Sequence, residues 1–167
     1  MMEAFLQTID IGRGEVLMEG KDILIIAIVV TVSPSLRAAK KLADVGIRAA
    51  VINARFLKPL DANLLCEWSK RTGKVLTVEE NVLQGGFGSA VLELFQERGL
   101  FSIQVKRLGV PDIFLEHGPQ ALLRGKYGID ETGIVKGARE MFEEGRSELI
   151  QSSRAETPVS RVHPNVK

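Results

Sequence analysis

The chain has 167 residues, 22 basic and 21 acidic, with a net charge of +1 and 45% hydrophobic residues. That is the size and make-up of one compact domain with a buried core, and the near-neutral charge excludes bulk attraction to nucleic acid or a membrane surface. A single cysteine, Cys66, excludes an internal disulfide or a cysteine-rich metal site and suits a reducing cytoplasm.

Residues 1–10 read as a linker remnant, residues 11–145 as the domain, and residues 146–167 as a polar tail. Gly14–Leu17 is a candidate antiparallel edge strand. Ile23–Val30 is a β-branched run of the kind found in strands covered on both faces. The apolar run from Ile23 to Val32 is too short to span a bilayer and has no basic leader or cleavage site. Ser33-Pro34 then supplies an N-cap and a first-turn proline. Leu36, Ala39, Leu42 and Ala43 form one apolar stripe, and Gly46 ends that helix.

Arg48–Asn53 is the next strand. Asp61 caps a helix carrying Leu64, Leu65 and Trp68, with Cys66 as a buried, inert thiol and Gly73 as the stop. Lys74–Val78 is a third strand, Gly85–Gly99 holds a third helix, and Ser102–Leu108 is a fourth strand. Asp130 caps the last long helix, where Ile134, Val135, Ala138, Met141 and Phe142 keep helical spacing. Four strand-helix units with short connections require a parallel sheet with helices on both faces. From Gly145 onward, apolar periodicity fades, as in a flexible tail or docked arm.

The candidates for ligand or interdomain contacts cluster at predicted strand ends. Glu79, Glu80 and Asn81 follow the third strand, and Gly85, Gly86 and Gly88 open the helix after it. Adjacent carboxylates at a strand end point to opposite faces, which suits a paired acid and base poorly. One of them can instead meet the N-terminus of the following helix, for a stabilisation of about 0.3–1 kcal/mol. The glycines invite a phosphate-cradle reading. The dinucleotide pattern fails because Val91 occupies its sixth place, no phosphate-loop motif is present, and two carboxylates adjoin the loop. Tight helix entry with close packing accounts for them better. Arg107 and Asp112 flank a Gly109-Val110-Pro111 turn, where they could pair and fix the turn or Arg107 could meet an anion. His117 stands just before a helix start at Gly118-Pro119, suited to capping or an interdomain hydrogen bond. Arg55 and Lys58 sit at another strand end.

Four segments, Asn53–Asp61, Glu79–Val91, Arg107–Asp112 and Glu116–Gly118, occur in an order that resembles the C-terminal domain of transketolase-like enzymes, the 1-deoxy-D-xylulose-5-phosphate synthases above all. The likeness runs from about Ile11 to about Glu140. It implies a three-layer α/β/α sandwich whose five-stranded mixed sheet is parallel except for one antiparallel edge. It also implies a scaffolding and dimerisation role, with no catalytic residue, cofactor or metal in this chain. Thiamine diphosphate and magnesium belong, in that family, to a G-D-G motif in another domain, and no Gly-Asp-Gly occurs here. Partners are then the other domains of a parent enzyme and a second copy, in the cytoplasm. The other reading is a stand-alone module of the same fold that binds a small anion or nucleotide at the sheet edge. One departure stands out. The family usually has a glycine and small hydroxyl residues where this chain has Val29-Val30-Thr31, two β-branched residues expected to crowd that loop and disfavour ligand contact there.

Overall fold

The structure, a computed structural model, describes residues 8–155. Five strands alternate with helices: β1 (Glu15–Met18), β2 (Ile23–Ala27), α1 (Val32–Asp44), β3 (Ala49–Asn53), α2 (Ala62–Thr72), β4 (Lys74–Val82), α3 (Phe87–Glu97), β5 (Gln104–Val110), α4 (Gln120–Lys126) and α5 (Glu131–Ala155). The sheet order is β1-β3-β2-β4-β5. Only the β1–β3 pair is antiparallel. This is the five-stranded mixed sandwich with one antiparallel edge.

Strand alternation divides the core in two. Leu24, Ile26, Ala50, Ile52 and Val75 face α2 and α3, packing on Leu65, Trp68, Phe87, Val91 and Phe95. Ile23, Ile25, Val51, Leu76 and Val78 face α1 and α5, packing on Ala38, Leu42, Ile134 and Met141. All five residues of β2 are fully buried. Each large aliphatic side chain removed from water in this way contributes about 1.5–3 kcal/mol. Asp61 caps α2 by accepting the Leu64 N–H, and its other oxygen accepts the Gly14 N–H, both at 3.1 Å. Asp130 caps α5 through the Gly133 N–H at 2.8 Å.

Several boundaries differ from the sequence expectation. The first full strand stops at Ala27 and not Val30, because Val29 takes φ 56 and the chain turns through a short 3-10 segment, Val29–Thr31. The Thr31 hydroxyl fixes that turn, lying 2.8 Å from both Ile28 O and Val78 O and accepting the Ile28 N–H. Thr31, not Ser33, occupies the N-cap of α1, and Ser33 Oγ accepts a bond from Arg37. The buried stripe of α1 includes Ser35 and Ala38, while Ala43 is exposed. Ser35 tolerates burial because its hydroxyl donates to Thr31 O at 2.7 Å.

β4 extends four residues past Val78, across a shift of register against β5, so Glu79, Glu80 and Asn81 belong to the strand. β5 likewise continues through Gly109 and Val110, which are strand residues and not a turn. At the far end, α5 runs to Ala155, well beyond Gly145. The segment after Gly145 carries no proline before Pro158 and is rich in good helix formers, which lets the helix continue. Residues 1–7 of the expected linker and 156–167 of the expected tail lie outside the described residues. No helix among the described residues is long and apolar enough to cross a membrane.

Candidate functional site at the carboxyl edge of the sheet

Glu79 and Glu80 point to opposite faces, as strand geometry requires, and each is committed to a different neighbour. Glu79 is 1% exposed, and its two oxygens accept the first two backbone N–H groups of α3, Phe87 at 2.6 Å and Gly88 at 2.8 Å. The carboxylate thus takes the place an N-cap side chain or a bound anion would occupy at the positive end of the helix dipole. Two glycines, Gly86 and Gly109, make room for it. A Cβ on Gly86 would lie 2.3 Å from Glu79 Oε2 and 2.2 Å from Val82 O. One on Gly88 would press on Thr77 and Arg107, and one on Gly109 would stand 3.0 Å from Glu79 Cγ. Gly85, at φ 71, instead serves the turn itself.

Arg107 secures the same loop from beneath. Its Nη1 donates to Leu83 O and to Ser89 Oγ, both at 2.9 Å, and the Ser89 hydroxyl donates to Leu83 O while accepting the Gly85 N–H. The expected Arg107–Asp112 pair does not form: the continuing strand carries Asp112 beyond reach, into an exposed segment. Glu80 pairs in bidentate fashion with Arg124, at 2.9 and 3.1 Å, which ties α4 to the sheet edge. That carboxylate holds the Arg124 guanidinium above its ordinary range. His117 is exposed, and Pro119 sits at the N-cap of α4 with no side-chain cap bond, so His117 caps nothing. Arg55 pairs with Glu15 of the edge strand. Burial pushes the Cys66 thiol up, against the opposing pull of Arg98 and Lys70, which keeps it in its unreactive form.

A cavity of about 320 Å³ lies beside Glu79, walled by Ile28, Val29, Val30, Leu57 and Phe87, with Glu80 and Asn81 at its polar end. The crowding expected of Val29-Val30 does not occur. Positive φ turns Val29 outward, 72% exposed, and the pair lines the cavity without filling it. Among the described residues, no group of three histidine, cysteine or acidic side chains converges as metal ligands would.

The family model for the transketolase C-terminal domain matches residues 12–134. The chain belongs to the transketolase C-terminal domain family. Similar relatives include 1-deoxy-D-xylulose-5-phosphate synthase 1 of Geobacter sulfurreducens, 57% identical over 137 residues. The 1-deoxy-D-xylulose-5-phosphate synthase of Halothermothrix orenii is 53% identical over 137 residues. The matched stretch covers 82% of this chain in each case but only 21% and 22% of those relatives, so the chain spans about a fifth of their length. Among solved structures, a split-gene transketolase described as an inactive beta4 tetramer superposes with a TM-score of 0.73 at 42% identity. The match covers 79% of this chain and 43% of that one.

Within this transketolase C-terminal domain, the predicted residues divide. Glu79, Glu80, Asn81, Gly85, Gly86, Gly88 and Arg107 meet around one loop, whereas Asp112 and His117 stand apart in the exposed run before α4. Sequence reasoning passed over Ser89 and Arg124, which complete the loop's bonding, and Thr31, which shapes the opposite wall. A hydroxyl four residues past the end of β2 was the available signal for Thr31. Nothing local marked Arg124 as the partner of a carboxylate 44 positions away.

Proposed function

We propose that this chain is the C-terminal scaffolding and dimerisation domain of a 1-deoxy-D-xylulose-5-phosphate-synthase-like thiamine diphosphate transferase, contributing no catalytic residue itself. The parent reaction condenses pyruvate with glyceraldehyde 3-phosphate, with loss of carbon dioxide, to give the deoxyxylulose phosphate used for isoprenoid precursors. One observation carries the reading: synthases 57% and 53% identical to this chain match it over only about a fifth of their length. The remaining four-fifths supply its partners, the other domains of the enzyme, together with the cofactor and magnesium.

The site geometry supports a structural role. The glycine-rich entry to α3 does not fit a diphosphate, because the Glu79 carboxylate already takes the Phe87 and Gly88 N–H groups there and would repel a second anion. The same argument counts against the anion- or nucleotide-binding alternative. Support for self-association comes from exposed Ile113, Phe114 and Leu115 after β5 and Leu122 on α4, apolar surface of the kind that subunit contacts cover. Cytoplasmic placement is proposed on the single buried thiol. Calorimetry of the chain with thiamine diphosphate and magnesium should give no heat of binding, and light scattering should give a mass rising toward two chains with concentration. Magnesium-dependent cofactor binding in the micromolar range would contradict the reading.

A further inference from the structure

The scaffolding role leaves the cavity beside Glu79 without a use. Its position follows from topology. The connection after β2 leads through α1 to β3 on one side, while the connection after β4 leads through α3 to β5 on the other, with the two helices on opposite faces. Two loops that leave neighbouring strands in opposite directions open a crevice between them, the place where open α/β sheets bind ligands. The cavity is bounded by the β2 loop and the β4 tip, at that point.

Its lining specifies a chemistry. Ile28, Val30, Leu57 and Phe87 provide an apolar wall. The polar end is acidic, and its two carboxylates are unequally compensated. Glu80 has Arg124, whereas Glu79 makes no ion pair with a lysine or arginine among the described residues. A charge 1% exposed beside an apolar cavity ordinarily has a counter-ion. Glu79 has two backbone donors, and each of its oxygens retains further acceptor capacity. The rim is also strained. A β-branched residue at φ 56 is an outlier, and such strain concentrates at ligand clamps. The Thr31 hydroxyl bonds to Ile28 and Val78 hold it in place.

We propose that this cleft binds a small organic cation, an ammonium head on an aromatic or aliphatic body. The head lies at the Glu79–Asn81 end and the body lies against Val30, Leu57 and Phe87. The volume, near the lower limit for ligand pockets, suits a body about the size of a benzene ring. Anions are excluded because Glu79 occupies the helix N-terminus that would attract them. The site is independent of the scaffolding role, and either can fail without the other.

The test is a heteronuclear NMR titration of the full chain with three matched probes: 2-phenylethylammonium, 2-phenylethanol and phenylacetate. The ammonium probe should give saturable shifts centred on Val30, Leu57, Glu80 and Asn81, with a Kd of about 1 mM or tighter. The alcohol should bind at least about tenfold more weakly, the difference the charge supplies, and phenylacetate should not saturate. Val30 is 44% exposed, so Val30→Trp should fill the cleft and abolish the ammonium response, while Phe101→Ser, at a remote exposed site, should leave it unchanged. If Val30→Trp fails to fold, the three-probe series on the unmodified chain decides alone. Absence of saturation with the ammonium probe, an equal response to phenylacetate, or shifts centred elsewhere would overturn the proposal.

Discussion

Replacing Gly86 with alanine tests whether the α3 entry is built around its own carboxylate. The backbone there is extended, φ −81 and ψ −165, so alanine suffers no conformational strain and any cost must come from contact. The added Cβ would meet Val82 O at 2.2 Å and Glu79 Oε2 at 2.3 Å. Overpacking of this kind costs about 1–3 kcal/mol. Moving Glu79 aside to relieve it gives up two hydrogen bonds to a charged acceptor, each worth about 1.5–3 kcal/mol. Because displacement partly relieves the clash, Gly86→Ala should destabilise the chain by about 3–5 kcal/mol. At this chain length that lowers Tm by roughly 10 °C. Gly85→Ala is the control: nothing lies within 4 Å of its Cβ position, and only its φ of 71 resists, for a cost of about 1–2 kcal/mol. Urea denaturation followed by circular dichroism measures both. A Gly86→Ala variant as stable as the parent chain, or one restored by added phosphate, would refute the reasoning.

Other expectations follow from neighbouring contacts. Glu79→Gln should cost about 2–4 kcal/mol in the same denaturation assay, since a carboxamide presents one acceptor and one donor to two N–H groups. Thr31→Val should cost about 1–3 kcal/mol by leaving the buried Val78 carbonyl without its donor and the Ile28 N–H without its acceptor, and Val29→Gly should raise Tm by relieving the positive φ. Lys41, at 2.6 Å, and Arg37, at 2.7 Å, hold the Glu131 carboxyl below its ordinary range. Its contribution to stability is therefore complete above the ordinary carboxylate pKa and is lost as pH falls through the lowered folded value. Glu131→Gln should flatten the acid limb of the stability profile below the ordinary carboxylate value of 4.5, and a limb of unchanged slope would count against that pair.

Much of this architecture is legible in the sequence because local signals agree with the fold. Asp61 and Asp130 stand where caps are needed, Gly73 stops α2 in the left-handed region, and the β-branched run at Ile23 marks a strand buried on both faces. The errors arise where distant contacts override local preference. Val29 and Val30 favour a strand, yet Thr31 bonds across to Val78 and forces a turn. Asp112 looks like a partner for Arg107, but Leu83 and Ser89 claim the guanidinium first. The glycine loop is legible in part, since a carboxylate is expected at the N-terminus of the following helix. Its spacing argued against a phosphate cradle, while the reason lies in Glu79 reaching eight and nine residues ahead to fill it.

The most direct test of the scaffolding account is a domain exchange. Residues 11–145 of this chain would replace the matching C-terminal stretch of the Geobacter sulfurreducens synthase, and deoxyxylulose phosphate formation would be measured beside the chain alone and the truncated synthase. The account expects the hybrid to assemble as the parent does and to regain most of its activity, with none from the isolated chain. A well-folded hybrid that stays inactive, or turnover by the isolated chain, would contradict it.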